Sequence, residues 1–356
     1  LRRLVGSEMC IRDRQGDILK MIKNLVRSII ACSFLFVSAN AYAWDVSGYK
    51  GPTMDLSKYQ PEMRLGFLGD ESAQDIIKNN ACLKEYAEVA YGVPAKIYTF
   101  KDYAGTMESM LGGSLDYAWF GSSGYAGIYL EDPTATVPIL TRMQPTGDMG
   151  YYSVMVTRSD SGINSLDDLK GKSFGWADPN STSGYLIPSI ELKAAGMDPD
   201  SYFGSTQFSG GHENNVLAVL NGDIDAGVTW VSGVGEWSEG YSSGNLRKMV
   251  DKGLLNMDDI KQIWSSALIP NGPIVMPTNM PVRAHQVMVG MKQWIHENDP
   301  QCSENVANGV VKAWVPVDHS FYETIVAARK AKIAVSYTHL TLPTTLDVCV
   351  WGVGGA

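Results

Sequence analysis

Tyr151–Thr157 (YYSVMVT) and Gln262–Met276 (QIWSSALIPNGPIVM) are the two stretches on which the fold turns. Both are rich in β-branched and aromatic residues, which favour an extended chain. Between them the text alternates: Leu166–Leu169, a strand over Ser173–Trp176, a helix beginning near Ser181, a strand near Thr206–Phe208, a helix over His212–Leu220 and a strand over Ile224–Trp230. The same alternation precedes Tyr151. Strands are predicted over Met63–Leu68, Ala95–Phe100, Leu115–Phe120 and Thr136–Thr141, with helices over Ser72–Tyr91, Ala104–Leu111 and Gly124–Leu130. Strands separated by helices of this length are βαβ text, which implies mostly parallel sheets with helices on both faces. One α/β unit is therefore inserted in another, with Tyr151–Thr157 as the outward crossing strand and Gln262–Met276 as the return. Pro281–Glu297 and Glu304–Lys332 are predicted as helices that complete the first unit. The expected fold is α/β and two-lobed, with two crossing strands as hinge and a cleft between the lobes. The first lobe would comprise residues 44–150 plus 272–333, and the second 151–271. A single doubly wound domain fits the same periodicity.

The 356 residues are enough for two such units, and 45% hydrophobic against 19% charged residues is the balance of a chain that buries a core. An export signal opens at Met21. It has Lys23 and Arg27 as its basic start, an apolar run over Ser28–Ala39, and Ala41-Tyr42-Ala43 as a small-x-small cleavage site, so residues 21–43 would be removed and the mature chain would begin at Trp44. That apolar run is too short to span a bilayer. Leu1–Arg14 and Val335–Thr345 resemble translated sequencing-adapter read-through, so residues 1–20 and 334–356 carry no functional expectation. The formal net charge is −9, and the basic leader makes the remaining body more acidic still. A body of that sign excludes nucleic acid and anionic membrane surfaces as partners, because both need a cationic field. It also means that an anionic ligand must be caught locally. Cys10, Cys32 and Cys349 lie in the discounted regions, which leaves Cys82 and Cys302 as either a disulfide or two free thiols. No Cys/His spacing of a metal site and no cofactor motif is read.

The strongest local signal is Asp178–Tyr185, DPNSTSGY, between a predicted strand and a predicted helix. Ser181, Thr182 and Ser183 at a helix start offer hydroxyls beside backbone N–H groups that have no partner within the helix. The aligned peptide dipoles add attraction for negative charge, so the segment suits a tetrahedral oxyanion without any Lys or Arg. Taken alone, it would be a plain helix cap.

DPNSTSGYLIP occurs together with Asp102-Tyr103-Ala104-Gly105, Gly150-Tyr151, Gly211-His212-Glu213-x-Asn215 and Leu268-Ile269-Pro270 followed by Pro273-Ile274-Val275. This ordered set, running from about Met63 to Trp314, resembles the periplasmic phosphonate-binding proteins of ABC-type importers. The resemblance implies a two-lobed, type II-like periplasmic binding fold and a monomer. It implies capture of a phosphonate, phosphite or phosphate in the cleft and delivery to membrane permease subunits, with no catalysis. It also implies a ligand shell of Tyr103, Tyr151, Ser181, Thr182, Ser183 and His212, with Ser122 as a further contact from the first lobe. Tyr, Ser and Thr hydroxyls and a histidine ring are all suitable donors to phosphoryl oxygens.

Two departures bear on the ligand. Ser232 and Asn271-Gly272 stand where relatives that bind aminoalkyl phosphonates carry acids, so an ammonium group loses its expected partners unless Asp225 or Glu236 substitutes. A compact oxyanion is expected instead. The rival reading from another class is an exported serine hydrolase with Ser181 or Ser183 as nucleophile, His212 as base and Asp225 as orienting acid. It lacks a G-x-S-x-G elbow. A sensing role on the same fold would leave the site unchanged.

Overall fold

The computed structural model describes residues 44–340, with side chains through residue 334; the signal sequence expected over 21–43 and residues 341–356 lie outside the described residues. Two six-stranded sheets organise the rest. The first contains β1 (Met63–Phe67), β2 (Ala95–Thr99), β3 (Tyr117–Trp119), β4 (Thr136–Met143), β11 (Ile274–Pro277) and β12 (Ala313–Pro316), in the order β12-β4-β11-β3-β1-β2. The second contains β5 (Gly150–Arg158), β6 (Ser173–Trp176), β7 (Ser205–Phe208), β8 (Ala226–Val231), β9 (Ile260–Ser265) and β10 (Ile269–Pro270). Its order is β10-β5-β8-β6-β7, with β9 also pairing with β5. This is the expected two-lobed α/β architecture.

Burial explains why YYSVMVT forms a strand. Val154 and Val156 face one core cluster and Met155 the opposite one, so β5 is covered on both faces. It does not cross between lobes as expected. β5 lies wholly in the second sheet, paired antiparallel with β8 and β9, and the crossings are made by residues 144–149 and 271–273. Gly272 in the return crossing packs backbone against backbone: a Cβ there would lie 1.9 Å from the Phe120 carbonyl oxygen.

Two predicted helices are divided. Ser72–Tyr91 breaks into Ala73–Asn79 and Ala81–Tyr91, because the buried Asn80 leaves helical geometry and spends its side-chain amide on the Ile76 carbonyl, 2.9 Å away. Glu304–Lys332 is not continuous helix. Asn308 turns left-handed at φ 58° to end the helix Pro300–Ala307, and β12 then carries Trp314 into the core before Glu323–Leu340 closes the described chain. Cys82 and Cys302 are joined by a disulfide that ties the helix Ala81–Tyr91 to the helix Pro300–Ala307.

The lobes are shut on each other. Ser123 N donates to Thr182 Oγ1 at 2.8 Å, His212 N to Asp70 Oδ1 at 2.9 Å and Arg329 Nη2 to Asn180 Oδ1 at 2.6 Å. Ala126 and Ile325 of the first lobe pack on Leu186 of the second.

Candidate functional site

Closure leaves a cavity of about 130 Å³ between the sheets. The second lobe contributes the predicted helix start. Ser181 is the N-cap, its Oγ accepting from Gly184 N at 2.9 Å. The first turn is wide, with Leu186 N reaching back five residues to the Ser181 carbonyl, before regular helix begins at Ile187. The amides of Thr182 and Ser183 precede any residue that could receive them within the helix. Gly184 is close-packed there, since a Cβ would meet Ala177 at 2.5 Å and His212 at 3.0 Å.

His212 opens its own helix, His212–Asn221, and is buried beside this start, with Nε2 3.0 Å from Ser181 Oγ. Burial pushes the ring's pKa down from its ordinary value, against the opposing pull of Asp70. A neutral ring that accepts the Ser181 proton at Nε2 carries its own hydrogen on Nδ1, and that buried atom has no partner among the described residues. The ring that lines the cavity thus keeps one buried donor unspent.

The predicted residues do not all play equal parts. Tyr103, Tyr151, Ser181, Thr182, Ser183 and His212 all line the cavity. Tyr103 begins the helix Tyr103–Leu111, capped by Asp102, and its hydroxyl reaches Asp70 Oδ1 at 3.3 Å. Tyr151 is buried at the start of β5, where it pairs with Ile269. The Thr182 hydroxyl is turned to the other lobe, accepting from Ser123 N at 2.8 Å and lying 3.3 Å from Ser122 Oγ. Ser122 therefore sits at a lobe-to-lobe contact, its Oγ also 3.2 Å from the Pro270 carbonyl.

The charged residues of the cavity were not legible in the sequence. Asp70 and Glu71, just beyond β1, line it together with Lys248 from the helix Asn245–Asp251. Glu71 meets Lys252 at 2.6 Å and Lys248 at 3.4 Å, and Lys252 also holds Asp75 at 2.9 Å and Glu213 at 2.8 Å. Arg142, near the end of β4, is fully buried. Its Nε donates to Asn271 Oδ1 at 3.2 Å and its Nη1 to the Ala307 carbonyl at 2.9 Å. Burial lowers its pKa to about 10, which still leaves a cation at neutral pH. Two cations, Arg142 and Lys248, therefore line the cavity beside a helix start that the sequence reading had treated without any Lys or Arg. The signal was an arginine in Thr136–Met143, a strand otherwise of apolar residues and two threonines, a position that only a partner or a ligand justifies.

The remaining candidates fall elsewhere. Asp225 accepts from Ser173 N at 2.8 Å and Ser173 Oγ at 2.7 Å, outside the cavity lining. The pair Ser181–His212 therefore has no orienting carboxylate on Nδ1, and the hydrolase triad is not assembled. Glu236 caps a short turn at Trp237–Glu239 and does not line the cavity either. Ser232, though buried, bonds to Ser242 and the Val234 carbonyl. Neither acid replaces the missing ammonium partners.

Comparison with known proteins identifies the family. The family model described as "ABC transporter, phosphonate, periplasmic substrate-binding protein" matches residues 65–322. The chain is 31% identical over 222 residues to the phosphonates-binding periplasmic protein of Escherichia coli, covering 61% of each. It is 30% identical over 252 residues to the phosphate-import protein PhnD of Mycolicibacterium smegmatis, covering 68% of this chain and 73% of that one. In fold it is similar to a binding protein component of an ABC phosphonate transporter from Pseudomonas aeruginosa. The TM-score is 0.67 at 24% identity, over 80% of this chain and 91% of that one. The chain belongs to the periplasmic substrate-binding proteins of phosphonate ABC transporters.

Proposed function

We propose that this protein captures a phosphonate or related phosphorus oxyanion, phosphite or phosphate, between its lobes and delivers it to a membrane permease. The supporting observation is the cavity between the lobes, which His212, with its unpartnered Nδ1, and the first turn after Ser181 line together. Thr182 and Ser183 would give backbone amides to the phosphoryl oxygens, Ser183 and Tyr151 would give hydroxyls, and Tyr103, whose own proton is held by Asp70, would close over the guest from the first lobe. Ser122 and Thr182 would fasten the lobes once the guest is in place. The work is binding and release, with no bond made or broken. Export through the signal sequence at 21–43 would place it in the periplasm, acting as a monomer.

Calorimetric titration of the chain from Trp44 with phosphate, phosphite, methylphosphonate, aminoethylphosphonate and sulfate tests this. Tight binding of a phosphorus compound without turnover is expected; preference for sulfate, or ester hydrolysis that Ser181→Ala abolishes, would replace the reading.

Closure should also depend on the lysine bridge at the cleft edge. Lys252→Met leaves Glu71, Asp75 and Glu213 together without their shared cation. Affinity for the best ligand of that panel should fall by about tenfold, and raising the ionic strength should cost the variant less than the wild type. Equal affinity of the two proteins at low salt would show that the bridge does not support closure.

A further inference from the structure

Building on the phosphonate-binding reading, we infer that the site takes a phosphonate bearing a second anionic group, a carboxylate on a short carbon arm, and that Arg142 is the residue that selects it.

The cavity's ionisable groups divide into two sets. Asp70 and Glu71 are already occupied: Asp70 Oδ1 accepts from His212 N at 2.9 Å and from the Tyr103 hydroxyl at 3.3 Å, and Glu71 holds Lys252 and Lys248. Arg142 is different. Its protein acceptors are the neutral Asn271 amide and the Ala307 carbonyl, and no carboxylate pairs with it among the described residues. It is 2% exposed and lines the cavity. Its Cζ lies 4.7 Å from the centre of the Trp230 ring and 5.6 Å from that of Trp119, so indoles from both lobes shield it from water. A buried cation left with neutral acceptors is unfavourable unless something brings it a negative charge. A guanidinium fork matches the two oxygens of a carboxylate.

Size points the same way. A cavity of about 130 Å³ compares with the ~150 Å³ that accommodates benzene, which is more room than a bare tetrahedral oxyanion needs. The helix start and His212 suffice for the phosphonate head. The Trp119 and Trp230 rings line the cavity next to Arg142 and would cover a methylene of the arm. An ammonium in the same place would face the guanidinium and be repelled.

The test is calorimetric titration of wild type and Arg142→Gln with methylphosphonate, phosphonoacetate and aminoethylphosphonate. On the wild type, phosphonoacetate should bind at least tenfold tighter than methylphosphonate, and aminoethylphosphonate most weakly. In Arg142→Gln the gap between the first two should shrink to threefold or less, mainly through loss of phosphonoacetate affinity. A wild type that binds methylphosphonate as well as phosphonoacetate overturns the inference, and that ranking stands even if the variant does not fold. Equal weakening of both ligands by the variant also overturns it, since Arg142 would then be neutralising the phosphonate head. Binding of none of the three would remove the phosphonate reading itself and this inference with it.

Discussion

Ser181→Ala and His212→Ala are each expected to weaken ligand binding by at least about tenfold, or ~1.4 kcal/mol, while the protein stays folded. The Ser181 hydroxyl has two protein duties: it receives Gly184 N and faces His212 Nε2. Removing it costs about 1 kcal/mol as a lost helix cap and about 1–3 kcal/mol for the buried ring nitrogen left unpaired. It also frees the imidazole to turn from the orientation that the Ser181 hydroxyl gives it beside the cavity. In His212→Ala the donor itself is gone. Titration with the preferred phosphonate, alongside thermal melting, separates the effects: a modest melting shift with a large loss of affinity is the expected pattern. Unchanged affinity in both variants would remove the pair from the site.

Replacing Cys82 and Cys302 by serine should lower the unfolding free energy by about 2–5 kcal/mol. The bond joins residues 220 apart in sequence, so it closes about three quarters of the described chain into one loop of the unfolded state. It also anchors the helix Pro300–Ala307, whose Ala307 carbonyl receives Arg142. Denaturant unfolding of the double serine variant, compared with wild type under oxidising conditions, reads the effect directly. A loss below about 0.5 kcal/mol would mean that the packing of these two helices holds without the link.

The elements of both sheets were legible where hydrophobic alternation is local, as in β1, β5 and β8. β12 was not, because its four residues AWVP carry too little pattern, and the left-handed turn at Asn308 that frees it has no strong sequence mark. The helix break at Asn80 depends on one side chain competing for a carbonyl, which periodicity averages away. For the site, the helix start at Ser181 announced itself because a cap is written in consecutive residues. Arg142, Asp70 and Lys248 did not, since they come together only when two distant strands and a helix from the other lobe close on each other.

The two crossings lie beside Asn271, whose side chain holds Arg142 through Nε and through its carbonyl. Any opening must pivot near that end, so displacement grows with distance from it, as along a lever arm. The guanidinium is then a nearly stationary back wall, while the bridge around Lys252, which joins the two lobes, is the part that swings apart. An arriving guest would enter past the lysines and travel inward, and its oxygens would be gripped only as the doorway shuts behind it.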